Sequence, residues 1–144
     1  LRDLCCVFPE GKTTCIRGRS GCGKTTLIRL LLGLDIPDKG KIEGISDRKI
    51  SAVFQEDRLC ENLSAASNIR LVCTETISDR ELEEAYKAVA LTEVWQKPVR
   101  ELSGGMRRRV SILRALLADS DCVIMDEPLR GLDEKTRIKT IDYI

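Results

Sequence analysis

The sequence predicts an α/β fold: a central, mostly parallel sheet interrupted by a helical segment. Three observations predict it. The stretch GRSGCGKTT at residues 18–26 lies between a strand-like run and an apolar, helix-like run. The run CVIM at residues 122–125 is continuously apolar and stops at Asp126 and Glu127, as a buried parallel strand does. Between them, within residues 57–99, apolar side chains recur at helical spacing.

Taken in order, residues 4–8 are apolar and read as a strand, and Pro9 to Lys12 form a turn signal. Residues 13–17 read as the next strand, which delivers the chain to the glycine-rich stretch. That stretch is Gly18, Arg19, Ser20, Gly21, Cys22, Gly23, Lys24, Thr25 and Thr26. It fits G-x-x-x-x-G-K-[ST], a loop whose backbone N–H groups curl around phosphate oxygens. In such a loop Lys24 adds positive charge for the β- and γ-phosphates, and the Thr25 hydroxyl is placed to ligate Mg²⁺. A helix is expected from Lys24 to near Gly33, its N-terminal dipole adding to the anion site.

Asp35, Pro37, Asp38 and Gly40 mark a loop, residues 41–43 a short strand, and residues 50–54 a β-branched and aromatic strand. Gln55 follows at the strand end, where ligands collect in α/β folds. Residues 79–90 form the clearest helix, with acids at its start. Ser103, Gly104 and Gly105 open another helix, from about 106 to 117, with Val110, Leu113 and Leu117 on its apolar face. They serve either as a cap or as a second anion-binding nest. At residues 126 and 127, two adjacent acids after a core strand are poorly explained by packing. Asp126 suits Mg²⁺, and Glu127 suits polarising water at a γ-phosphate. A turn at Gly131 and Asp133 precedes an amphipathic segment from residue 134 to 144.

Composition narrows the function. A formal charge of +1 argues against a non-specific nucleic-acid binder. The one basic cluster, Arg107, Arg108 and Arg109, reads first as a solvated helix face and second as a patch for phosphate or an acidic partner. Seven cysteines, odd in number and without CxxC spacing, oppose a disulfide framework, and the lack of any histidine opposes a zinc site. Cys5, Cys15 and Cys122 lie in apolar runs and are expected to be buried. Cys22, inside the glycine-rich loop, is expected to be alkylation-sensitive. No stretch approaches the roughly 20 apolar residues of a membrane helix.

The series GRSGCGKTT, Gln55 after a strand, LSGGM at residues 102–106, CVIMDEP at 122–128 and GLD at 131–133 resembles the ATP-binding cassette (ABC) ATPases over nearly the whole chain. The resemblance implies a P-loop NTPase fold with the helical subdomain between the glutamine loop and the signature motif. It implies a catalytic core from residues 1–56 and 100–144 and a helical subdomain at 57–99. It implies that Glu127 is the catalytic base, that Lys24 holds phosphate, and that Gln55 touches the attacking water. Thr25, Gln55 and Asp126 are the implied Mg²⁺ ligands. Ser103, Gly104 and Gly105 are implied to grip the γ-phosphate of ATP held by a second subunit, with Asp133 in a loop crossing that interface.

Residues 54–56 and the phosphate-loop region look like the import-type transport ATPases of bacteria. The implied partners are a second ABC ATPase domain, giving a head-to-tail homodimer, and a transmembrane permease. The implied location is cytoplasmic, on the inner face of the cell membrane. Two other readings share the motifs: a cassette ATPase that never meets a membrane, and a hydrolytically inactive fragment keeping only the fold. The family's upstream aromatic residue and downstream histidine are missing, so truncation at both ends is expected, with weak nucleotide binding and poor hydrolysis by this piece alone.

Overall fold

Two units make up the chain, Leu1–Arg48 and Lys49–Ile144, in a computed structural model that describes residues 1–92 and 94–144. Position 93, inside the expected helical subdomain, lies outside the described residues.

The first unit contains one helix, α1 (Lys24–Leu31). It starts from Gly23, whose φ of 99° only glycine holds without strain, and no side chain caps it. It ends as the sequence predicts. Gly33 turns at φ 66°, Leu34 N–H returns to Arg29 O at 2.9 Å, and Arg29 holds Asp35 through two bonds of 2.7 and 2.8 Å. The strands expected at residues 4–8, 13–17 and 41–43 do not form. A strand is held by its ladder, and these segments have none; their side chains are exposed, Val7 to 85%. Cys5 and Cys15 are therefore exposed, contrary to expectation, and Cys122 is only half-buried.

In the second unit, β1 (Ile50–Val53) and β2 (Cys122–Met125) pair in parallel, with Ile50 opposite Cys122 and Val53 opposite Met125. Asp121 sets the register at their entrance. Its carboxylate accepts from Lys49 N–H at 2.8 Å, and its own N–H donates to Lys49 O at 2.8 Å. β1 stops one residue short of the expected end. Phe54 turns away and stacks under the Arg58 guanidinium, 3.7 Å from the ring centre.

The crossover between the parallel strands is helical, as a parallel pair requires. α2 (Ala65–Arg70) is capped by Ser64. α3 (Asp79–Ala88) starts on a capping box in which Ser78 and Glu81 satisfy each other's backbone N–H. It ends two residues before the expected position 90, because Ala90 turns into the left-handed region at φ 55°. A short 3₁₀ turn at Val99–Glu101 leads to α4 (Gly104–Leu116), which starts two residues earlier than expected because Ser103 caps it. α5 (Glu134–Tyr143) follows β2. Among the described residues no helix is long and apolar enough to cross a membrane.

α4 packs in two directions. Val110 and Leu113 join the helical core with Ile69, Leu82, Tyr86 and Val99. Ile112 and Ala115 cover the sheet at Val53. Arg108 and Arg109 are 4% and 8% exposed, so the expected solvated basic face is wrong for these two residues. Position 108 falls one helical turn before Ile112 and is carried onto the sheet-facing stripe. Leu82 is fully buried in the helical core. Leu82→Ala is expected to lower unfolding free energy by about 2–5 kcal/mol, measured by urea denaturation of the intact protein.

Candidate functional site

The glycine-rich loop lies wholly in the first unit. Gly21 and Gly23 take φ of 78° and 99°, and Cys22 N–H closes onto Arg19 O at 3.3 Å. The Lys24 ammonium folds back over the loop mouth and donates to Gly18 O at 2.9 Å and Arg19 O at 3.1 Å. The charge is thus held within the curl that the N–H groups would present to an anion. A Cβ on Gly18 would stand 2.5 Å from Cys22 Sγ, so any larger residue there would make the exposed Cys22 side chain turn away. Thr25 and Thr26 are exposed at the helix start, and the Cys22 thiol is exposed as expected.

Gln55, Ser103, Gly104, Gly105, Asp126, Glu127 and Asp133 all belong to the second unit. The equal register of β1 and β2 brings Gln55 and the acid pair off neighbouring strands at the same level. Asp126 N–H donates to Val53 O at 2.8 Å, extending the ladder one step past Met125. Asp126 is buried at 6% exposure, whereas Gln55 and Glu127 are exposed. Glu127 holds φ 48°, a left-handed conformation that costs a non-glycine residue about 1–3 kcal/mol. Among the described residues, its carboxylate meets the exposed Arg130, at 3.5 Å.

The Ser103 hydroxyl accepts from Met106 N–H at 3.3 Å, so it caps α4, and Gly104 and Gly105 form the first turn. A Cβ on Gly105 would be 3.6 Å from Leu132 and 3.7 Å from Gly131 O, which places the Gly131–Leu132 turn against the start of α4. Asp133, next in sequence, caps α5 by accepting from Thr136 N–H at 3.0 Å. Hydrogen bonding from Thr136, its side chain first and its backbone N–H second, with a smaller contribution from Arg109, holds the Asp133 carboxyl below the ordinary carboxylate range.

The burial of the α4 arginines and their backbone partners escaped the sequence reading. Arg108 donates to the backbone at both strand ends, to Phe54 O on one side and to Asp126 O, Glu127 O and Pro128 O on the other. Arg109 binds Val89 O and Ala90 O at 2.9 and 2.7 Å, and burial lowers its pKa. Arg114 reaches Arg58 O at 2.8 Å and Asp57 O at 3.2 Å. The signal was present: Arg108 shares the i, i+4, i+7 stripe of Ile112 and Ala115, and a charge on an apolar stripe calls for buried partners.

A family model described as ABC transporter matches residues 1–130. The chain is 38% identical over 157 residues to the aliphatic sulfonates import ATP-binding protein SsuB 1 of Rhizobium johnstonii, covering 100% of this chain and 56% of that protein. It is 34% identical over 160 residues to the trehalose/maltose import ATP-binding protein MalK of Thermococcus litoralis, covering 96% of this chain and 43% of that one. The chain thus spans about half the length of these curated relatives. Among solved structures it is similar to a dimeric ATP-binding cassette in a post-hydrolysis state bound to ADP and Pi. That match has a TM-score of 0.70 and 29% identity, and covers 86% of this chain and 64% of that one.

Proposed function

Because the chain belongs to the ABC transporter family, we propose that it is the ATP-binding and ATP-hydrolysing part of an import system. It works as a head-to-tail pair on the cytoplasmic face of the cell membrane and drives a solute through a separate permease. The observation that carries the reading is the strand-end geometry. Gln55 and the Asp126–Glu127 pair leave adjacent parallel strands at one level, with Asp126 N–H on Val53 O at 2.8 Å. Ligands of α/β folds bind at that end of the strands.

In this reading the phosphate loop and Lys24 bind the phosphates of ATP. The Glu127 carboxylate, exposed and lightly paired, accepts a proton from the attacking water. Gln55 orients that water. The Ser103, Gly104 and Gly105 turn of a second copy contacts the γ-phosphate, so each copy completes the other's site in two-fold symmetry. Within each copy, Asp133 follows Gly131 and Leu132, which lie against the start of α4.

The donor set suits Mg²⁺. It offers oxygen atoms only, from Thr25, Gln55 and Asp126, and among the described residues no cluster of three His, Cys, Asp or Glu forms an all-protein metal cage. Mg²⁺ is commonly held by one or two carboxylates plus substrate phosphates. By the family resemblance, Thr25 of the first unit and Gln55 and Asp126 of the second are the residues that would hold it, and it would neutralise charge on the phosphates.

The import reading is supported by the two curated relatives, whose names specify sulfonate and trehalose or maltose import. The solute is set elsewhere than in these residues. Phosphate release from ATP by the intact protein tests the reading, with Gln55→Ala as the diagnostic variant. Turnover is expected to fall about tenfold or more, with ATP affinity little changed. An intact protein that releases no phosphate from ATP contradicts the reading.

A further inference from the structure

Arg108 lies one turn into α4, just beyond the Ser103–Gly105 start, and is 4% exposed. A buried guanidinium is costly unless its five N–H donors find acceptors. Here the two strand-end segments supply all of them. Nε donates to Pro128 O at 2.9 Å, and Nη2 donates to Asp126 O and to Glu127 O, each at 2.8 Å. Nη1 donates to Phe54 O, with Gln55 O at 3.5 Å and Asp57 Oδ1 at 3.4 Å completing its surroundings.

Three consecutive carbonyls, from residues 126 to 128, therefore converge on one planar group. Such convergence needs a sharp reversal, and Glu127 provides it at φ 48°. A non-glycine residue keeps that conformation only where its surroundings over-determine it. The bonds to Asp126 O, Glu127 O and Pro128 O supply that determination. On the other strand, Arg114 grips Asp57 O and Arg58 O, so α4 holds the segment after Gln55 at a second point.

We propose that Arg108 is a positioning residue for hydrolysis: acting through backbone carbonyls, it fixes Glu127 and Gln55 relative to each other and ties both to the helix that starts at Ser103. The proposal rests on the ATPase reading above. It needs the planar fork of arginine and not merely its charge, because a lysine ammonium is a point donor that cannot serve both segments.

The test uses the intact protein with Arg108→Met and Arg108→Lys. Three quantities are measured: kcat, the Kd of a fluorescent ATP analogue, and amide hydrogen exchange. Displacing the two catalytic groups is expected to lower kcat roughly 100-fold in R108M, and clearly in R108K, with Kd unchanged because the phosphate loop is untouched. Exchange is expected to quicken at residues 54–58 and 126–130, with the helical core around Leu82 still protected. Three results overturn the proposal. The first is wild-type kcat in R108M. The second is full restoration by R108K, which would make charge sufficient. The third is a joint fall of kcat and affinity with exchange rising through the helical core, which would mark a purely structural residue. If the wild-type protein itself lacks turnover, the functional reading fails. The exchange pattern then judges the clasp alone: selective loss of protection supports it and unchanged protection removes it.

Discussion

Glu127→Gln in the intact protein is expected to cut ATP turnover by roughly 10²- to 10⁴-fold while leaving ATP binding intact, the loss typical of removing a general base. Glutamine has nearly the shape of glutamate, so the left-handed backbone at φ 48° is no more strained than before. The contact with Arg130 at 3.5 Å is exposed on both sides and contributes little to folding. The change therefore isolates proton acceptance from structure. Phosphate release and titration with a fluorescent ATP analogue are measured on the same sample. Turnover within threefold of wild type would remove Glu127 from the role of base.

Lys24→Ala is expected to act earlier, on binding. The ammonium does two things in the loop: it braces Gly18 O and Arg19 O at 2.9 and 3.1 Å, and it places a positive charge where phosphate would sit. A hydrogen bond to a charged group contributes about 1.5–3 kcal/mol. Each 1.4 kcal/mol is tenfold in affinity, so losing one or two such bonds to phosphate weakens ATP binding by about 10²-fold or more. Lys24 is only half-buried and belongs to no hydrophobic cluster, so the melting temperature should move little. Unchanged ATP affinity in K24A would mean that the loop binds without its lysine.

Much of the second unit was legible in the sequence. The apolar run at residues 122–125 is a strand with the expected bounds, because nothing in CVIM competes with extended structure and Asp126 ends it. The helices at 79–88 and 104–116 announced themselves through apolar spacing and, for the first, through the acids at its start; the Ser78 cap that sets the first start appeared only in the structure. What failed was any feature depending on partners distant in sequence. Residues 4–8 and 13–17 have strand composition, yet strands exist only where a ladder forms. The arginine run failed for a related reason. Charge predicts solvent, but Arg108 is buried because backbone carbonyls from two strand ends meet at its position. At the candidate site, residue types and spacing exposed the phosphate loop and the acid pair. The left-handed backbone of Glu127 and the shared level of Gln55 and Asp126 required the fold.

The most direct measurement of the central claim is complementation between two inactive variants of the intact protein, Lys24→Ala and Ser103→Arg. In a head-to-tail pair, one site of the mixed dimer carries both lesions and the other carries neither. Random mixing should then restore about a quarter of wild-type ATPase activity, since half the dimers are mixed and each has one sound site. A mixture as inactive as either variant alone, with mixed dimers shown to form, would contradict a site shared between two copies.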